Sequence, residues 1–283
     1  MASFIYSAFA DEISPDFNIQ LDSLCKFGIP YIELRGVDGK SFVSLDDGEA
    51  ASVKEKLSSH NIKVWSLGSP LGKAPTNEKD SQLALLDRVI AIGDRLGVNR
   101  IRMFSFYPEK GDSRAVFREK ALDNVASLLD KAEKEGFILC HENEKGILGE
   151  SVEDVKDLAD NFGGRLKVVL DNANFVYAGK SAENAYDTLK EYIEYFHIKD
   201  CIENSIIVPP GKGKALVKET ISKVNADRKG DVVLTVEPHL MDFAGLSSLT
   251  HNSEVLEHLY SFDTPYDAFA CALTLIKETV DSL

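Results

Sequence analysis

Four residues of metal-ligand type each stand directly after a short apolar run: Glu142 in LCHENE, Asp171 in VVLDNAN, His197 in FHIKD and Glu237 in LTVEPH. Three carboxylates and one imidazole are an oxygen-rich, fairly hard donor set. It suits one divalent cation, Mn²⁺ first, with Mg²⁺, Co²⁺ and Zn²⁺ as further candidates. The four are far apart in the chain, so they can share an ion only if the fold brings the ends of different strands together. Alternate residues of a strand share a face, which directs Lys199 the same way as His197 and His239 the same way as Glu237. Lys199 could hold a substrate oxygen or polarise a carbonyl, or it could simply pair with Glu142 or Glu237. His239 could donate a hydrogen bond to substrate or play a structural part. Lys145, close behind Glu142, is a further candidate for substrate contact, although a solvated loop explains it as readily.

The elements that must position these residues are legible as short apolar runs alternating with longer amphipathic stretches, the pattern of repeated βα units. Eight strands are predicted: Phe4 to Phe9, Tyr31 to Leu34, Ile62 to Leu67, Ile101 to Phe106, Phe137 to His141, Leu166 to Leu170, Tyr195 to Ile198 and Val232 to Val236. Several are almost wholly apolar, as expected when both faces of a parallel sheet are covered. Helix punctuation agrees. Ser14 is the expected N-cap of a helix with Pro15 at its first position, Phe17, Leu21, Leu24 and Cys25 on one stripe, and Gly28 as its stop. Ser113 opens a helix that Gly136 ends, Ser151-x-x-Asp154 reads as a capping box, and Thr264-Pro265-x-Asp267 opens the last helix. Eight units without a linker, and with no G-x-G-x-x-G after the first strand, predict an α/β chain folded as a single (β/α)8 TIM barrel over residues 1–283 rather than an open doubly wound sheet. The candidate ligands then close strands five to eight in order. Asp11 and Glu12 close the first strand, where helix capping is the simpler reading. Trp65 is expected in the core or in the pocket wall.

Two segments are long enough to suggest a role. One runs from His239 to Asp263 and could hold a short helix from Ser253 to Leu259. The other, Asp200 to Gly213, contains Pro209-Pro210-Gly211-Lys212-Gly213, whose glycines could present backbone N–H groups to an anion, although a plain turn is the simpler reading.

Composition narrows the function further. The chain has 283 residues and a net charge of −14, which opposes nucleic-acid binding. No apolar run approaches the roughly 18 residues of a membrane span. The N-terminus lacks a basic region ahead of its apolar stretch, so a cytoplasmic location is expected. Cys25, Cys140, Cys201 and Cys271 form no C-x-x-C pair and are read as buried, reduced thiols. Arg35, Lys73, Arg102, Lys145, Lys199 and Lys212 fall at or just beyond strand ends. They could hold an anionic small molecule or balance the carboxylates.

The motifs HENEKG, HIKD and TVEPH, with ADEIS, YIELRG and GSPLGK earlier in the chain, resemble those of the sugar phosphate isomerase/epimerase family within the xylose isomerase-like TIM-barrel superfamily. The resemblance spans essentially the whole chain. It implies Glu142, Asp171, His197 and Glu237 as metal ligands and Glu142 and Glu237 as the acid/base pair. It also brings Asn174 into the substrate site, because the ketose 3-epimerase branch has a substrate-touching histidine there. This chain departs from that branch again where an arginine is expected past the strand-seven histidine, with Glu203 at the nearest spacing.

The chemistry asks for these residue types, because removing a proton beside a carbonyl builds negative charge on oxygen that a cation can stabilise. A carboxylate on each side can pass protons, giving isomerisation or epimerisation of a small sugar, sugar phosphate or polyol-derived ketone through a metal-stabilised enediolate. If a β-hydroxyl leaves instead, the same set performs dehydration, as the similar inosose and dehydroshikimate dehydratases do. A non-catalytic sugar-binding barrel is the reading from another class, and retention of both glutamates argues against it. An apurinic-site endonuclease would need a trinuclear zinc cluster, and six histidines, with His60, His251 and His258 in helix or loop positions, fall short of it. The expected partner is a small carbohydrate, with neither nucleic acid nor membrane, and a homo-oligomer is compatible with the sequence.

Overall fold

The computed structural model describes residues 1–203, 206–243 and 257–283. Its principal sheet contains β1 (Ala2–Ala8), β2 (Tyr31–Leu34), β3 (Lys63–Gly68), β4 (Arg100–Met103), β5 (Ile138–Glu142), β6 (Lys167–Leu170), β7 (Ile193–Ile198) and β8 (Gly230–Val236). All neighbours are parallel, and the hydrogen-bonded order β1-β8-β7-β6-β5-β4-β3-β2 runs back through the chain. β1 meets β8 in register from Ala2 opposite Gly230 to Ala8 opposite Val236. That pairing brings the first strand beside the last, leaving a nearly closed barrel with no ladder between β1 and β2 among the described residues.

Around it lie α1 (Phe17–Phe27), α2 (Asp47–Ser59), α3 (Lys79–Leu96), α4 (Arg114–Lys134), α5 (Val152–Asn161), α6 (Asn172–Tyr177), α7 (Ala185–Leu189), α8 (Val217–Asp227) and α9 (Pro265–Asp281). Among the described residues no helix is long and apolar enough to cross a membrane. All four cysteines are free thiols, but only Cys140 and Cys201 are buried, whereas Cys25 is exposed and Cys271 half-buried.

Buried side chains fall into two apolar groups. The larger fills the layer between sheet and helices. The smaller contains Cys140, Val169, Tyr195 and Val233, packed with Ile5, Trp65 and Ile138, and plugs the barrel interior. Inward-facing residues alternate with outward-facing ones. Two steps beyond Cys140, Val169 and Tyr195 the same inward face presents Glu142, Asp171 and His197. Four steps beyond Val233 it presents Glu237. Trp65 therefore belongs to the core, with the Arg100 guanidinium 4.2 Å from its ring centroid.

The helix signals hold with local corrections. Asp16, not Ser14, caps α1, accepting from the backbone N–H of Asn18 and Ile19, because Ser14 Oγ is occupied by the N–H of Asp16. Gly28 ends α1 in the left-handed region at φ 68°, where a side chain would be strained. Phe17, Leu21 and Leu24 are buried as expected, whereas Cys25 is exposed. Ser113, Ser151 and Thr264 each cap their helix, accepting from the N–H of Val116, Asp154 and Asp267. The Asp154 carboxylate pairs with Arg114 instead of completing a capping box. A full capping box occurs at Asp46 and Glu49. β4 ends at Met103, short of Phe106, because Phe104 and Phe106 bond to the carbonyls of Leu71 and Gly72 in the loop after β3.

The segment after β7 is not a bare loop. Asp200–Glu203 and Ile206–Val208 form an antiparallel hairpin, and Ile206 and Ile207 pair in parallel with Glu257 and His258. The helix expected from Ser253 lies mostly outside the described residues, and its described end at Glu257–His258 is a strand.

Candidate metal centre

Glu142, Asp171, His197 and Glu237 are all buried, and each offers a ligand atom within 4.8 Å of those of the other three. The site is assembled from the ends of β5 to β8, the arrangement expected from the sequence.

Asp171 caps α6, its Oδ1 accepting from the N–H of Ala173 and Asn174. Its backbone is locked by the Asn143 side chain, which donates to the Asp171 carbonyl at 2.7 Å and accepts from the Asp171 N–H at 3.0 Å. Oδ2 is thereby left for the cluster. Each glutamate has one oxygen held by a buried arginine. Arg102 donates to Glu142 Oε2 at 2.7 Å, and Arg35 donates to Glu237 Oε1 at 2.8 Å. The other oxygen of each lies toward His197: Glu142 Oε1 is 3.1 Å and Glu237 Oε2 3.3 Å from Nδ1. His197 Nε2 points the opposite way and donates to Glu33 Oε2 at 2.9 Å.

Asn174, Lys199 and His239 touch members of the cluster. Asn174 donates to Glu142 Oε1 at 3.1 Å and to the Asn143 carbonyl at 2.8 Å. The Lys199 ammonium is 2.9 Å from Asp171 Oδ2 and 3.6 Å from Glu237 Oε2. His239 Nε2 stands 3.2 Å from Glu237 Oε1 and 3.3 Å from Glu12 Oε1. Lys145 places its ammonium 5.2 Å from the ring centroid of Tyr177 in α6. Asp11 and Glu12 cap no long helix. They form a buried one-turn 3₁₀ segment after β1 and bind Arg35.

The cations read from sequence are largely committed to carboxylates. Lys73 pairs with Glu144 at 3.0 Å, while Arg35, Arg102 and Lys199 pair as described. Lys212 lines a groove with Lys218, Ser222 and Glu278, against helices α8 and α9. The N–H groups that Gly211 and Gly213 could have offered an anion are taken by the chain itself, since Asp200 accepts from the N–H groups of Cys201, Gly211, Gly213 and Ala215.

Burial disfavours charge on every member of this set, so its ionisation depends on partners. At Glu142 burial is outweighed by His197 and Arg102, which hold the carboxyl well below the ordinary range. Glu237 is likewise held low, against burial, by Lys199, His239 and His197. Asp171 is pushed up to about 6 by burial, with Glu142 and Glu237 adding to the effect and Lys199 opposing it. His197 is raised because Glu33 and Glu142 overcome its desolvation. Asp171 Oδ2 and Glu237 Oε2 are both buried and face only Lys199 and, for Glu237, His197 among the described residues. Two such oxygens beside an imidazole nitrogen are a set of donor atoms a divalent cation fits.

Sequence reasoning left Glu33 and Asn143 out of the site and preferred helix capping for Asp11 and Glu12. Glu33 had a signal, a lone acid inside the otherwise apolar YIEL. Asn143 stands next to a candidate ligand in HENEKG.

A family model described as xylose isomerase-like TIM barrel matches residues 21–259. No curated protein matches the chain in sequence. Among solved structures, an IolI protein with a bound zinc atom superposes with a TM-score of 0.76 at 18% identity, covering 100% of this chain and 99% of that one. D-Psicose 3-epimerase with D-tagatose, from Clostridium cellulolyticum H10, superposes with a TM-score of 0.68 at 16% identity, covering 99% of each chain. The probable 3-DHS dehydratase AsbF of Bacillus anthracis gives 0.71 at 13% identity, covering 98% of this chain and 99% of its own. At these identities the likeness speaks for the fold.

Proposed function

This chain belongs to the xylose isomerase-like TIM barrel family, and from that premise we propose that it is a divalent-metal-dependent isomerase or epimerase of a small polyhydroxylated carbonyl compound. The observation that carries this reading is the pair of glutamates at the ends of β5 and β8. Each is fixed through one oxygen by its own arginine and turned through the other toward the cluster between them. Glu142, Asp171, His197 and Glu237 would hold the cation. Once bound, it would stabilise the negative charge that develops on a substrate oxygen as the neighbouring carbon loses its proton.

The remaining steps belong to the chain. Arg102 and Arg35 hold the orientation of the two glutamates, so that no reorganisation is needed when a proton moves. One glutamate takes the proton from the carbon beside the carbonyl, and the other returns one from a different side. Return to the same carbon gives epimerisation, and return to its neighbour, with the hydroxyl proton passing from one substrate oxygen to the other, gives isomerisation. Lys199 reaches the cluster from β7 and donates to a substrate oxygen, while Asn174 steadies Glu142. A cavity of about 270 Å³ lined by Pro15, Gly36, Val43, Gly68 and Pro70, with Arg35 and Arg102 in its wall, takes the end of the substrate that does not react. The IolI structure holds zinc and the epimerase structure a ketose, and both support this reading.

Elemental analysis of purified protein and of His197→Ala tests the cation, with a large loss expected in the variant. Equal metal in both would sink the assignment. With a turning-over substrate in D₂O, deuterium is expected at the carbon beside the carbonyl. A dehydrated product would move the protein to the lyases.

A further inference from the structure

His197 can meet a cation through only one of its two ring nitrogens, and the chain has built a device on the opposite nitrogen. Glu33, on β2, accepts from Nε2 at 2.9 Å through Oε2. Its other oxygen, Oε1, accepts from the Tyr195 hydroxyl at 2.8 Å, and that hydroxyl lies 3.1 Å from Ser66 Oγ. β2 and β7 are not sheet neighbours, since β6, β5, β4 and β3 stand between them in the strand order. The Glu33 side chain therefore crosses the barrel interior to reach both Tyr195 and His197. Tyr195 and His197 share the inward face of β7, two residues apart. The imidazole is packed edge-on against Phe9 at 5.1 Å and Tyr195 at 5.5 Å between centroids.

We propose that Glu33 is a positioning residue that reserves Nδ1 of His197 for the cation and strengthens it as a donor. The proposal rests on the metal-centre reading above. A backbone carbonyl or an amide could orient the ring with less desolvation, whereas Glu33 is a carboxylate only 1% exposed. What a carboxylate adds is acceptor-only character, which fixes the proton on Nε2, and negative charge, which makes the other nitrogen more basic. Tyr195 in turn holds Glu33 in line with the ring.

The test uses the full chain. Co²⁺ affinity is measured by competition in wild type, Glu33→Gln, Tyr195→Phe and His197→Ala, and the His197 Nε2 proton is followed by NMR in the zinc-loaded forms. Loss of such an outer partner typically weakens metal binding by about 10- to 100-fold, the expected range for Glu33→Gln. Tyr195→Phe should move affinity the same way by less. The wild-type ring proton should be shifted to low field and exchange slowly, and in Glu33→Gln it should move upfield and exchange faster. A structural ion pair alone would lower stability without changing either readout in the folded protein. Wild-type Co²⁺ affinity and an unmoved ring proton in folded Glu33→Gln would overturn the proposal while leaving the metal centre intact. If Glu33→Gln does not fold, wild-type affinity in Tyr195→Phe overturns it instead. If wild type takes up no more Co²⁺ than His197→Ala, the metal reading falls and this one with it.

Discussion

Leaving a buried carboxylate without its partner costs far more than removing an exposed one, so Arg102 and Arg35 are the residues whose loss should be felt first. Arg102→Met leaves Glu142 Oε2 uncompensated in a buried site and should destabilise the metal-free protein by roughly 3–5 kcal/mol in urea unfolding, with Arg102→Lys losing less. Glu142→Gln and Glu237→Gln, with metal content restored, should each lower kcat by about 10² or more, since each removes one proton carrier. Full activity in both amides with metal bound would leave the pair without a catalytic part. The Lys199 ammonium stands against Asp171 and competes there with a divalent cation, so Lys199→Met should tighten Co²⁺ binding by about tenfold or more in competition titrations. At this scale the four clustered residues were legible in the sequence because ligand-type residues closing apolar runs are unusual. Glu33 was hidden because its partners, Tyr195 and His197, lie across the barrel, and no spacing rule connects residues separated by 164 positions.

Among the elements, the hairpin after β7 shows where local signals lead and where they stop. Gly211 and Gly213 suggested a nest for an anion, and the nest exists, but its anion is Asp200 of the same segment. A Cβ on Gly213 would lie 2.3 Å from Asp200 Oδ1, so the turn closes only with glycine. Asp200→Ala should therefore cost about 2–4 kcal/mol, because the N–H groups of Cys201, Gly211, Gly213 and Ala215 lose their acceptor together. Equilibrium unfolding checks this, and a loss comparable to a single exposed cap would mean that water replaces the carboxylate. The strands were read to within a few residues because burial on both faces makes them apolar. Helix starts were read less well, since Ser14 and Asp16 are both good caps and the choice depends on which side chain is already engaged. The hairpin itself was missed because its two strands, Asp200–Glu203 and Ile206–Val208, are short.

Taken over the whole molecule, the charge at the barrel mouth argues for the kind of substrate. Six carboxylates are buried there, Asp11, Glu12, Glu33, Glu142, Asp171 and Glu237, against three buried cations, Arg35, Arg102 and Lys199, among the described residues. The carboxylates outnumber these cations by three, so the set is short of positive charge and one divalent ion narrows the gap. Chelation should therefore lower Tm, and excess Mn²⁺ should restore it in a concentration-dependent way. The same count leaves little positive charge for a phosphate or carboxylate on the substrate, because Arg35, Arg102, Lys73 and Lys199 already face acids. A net charge of −14 adds a long-range field that repels anions. A neutral polyhydroxy ketone escapes both penalties, and salt reports the difference. Screening speeds the encounter of an anion with an anionic protein, slows that of a cation and leaves a neutral molecule unaffected. For the true substrate, kcat/KM should stay flat as ionic strength rises from low to physiological values at constant free metal. A clear rise with salt would show that the substrate carries negative charge, and would mean that Lys199, or another cation at the mouth, gives up its carboxylate when substrate binds.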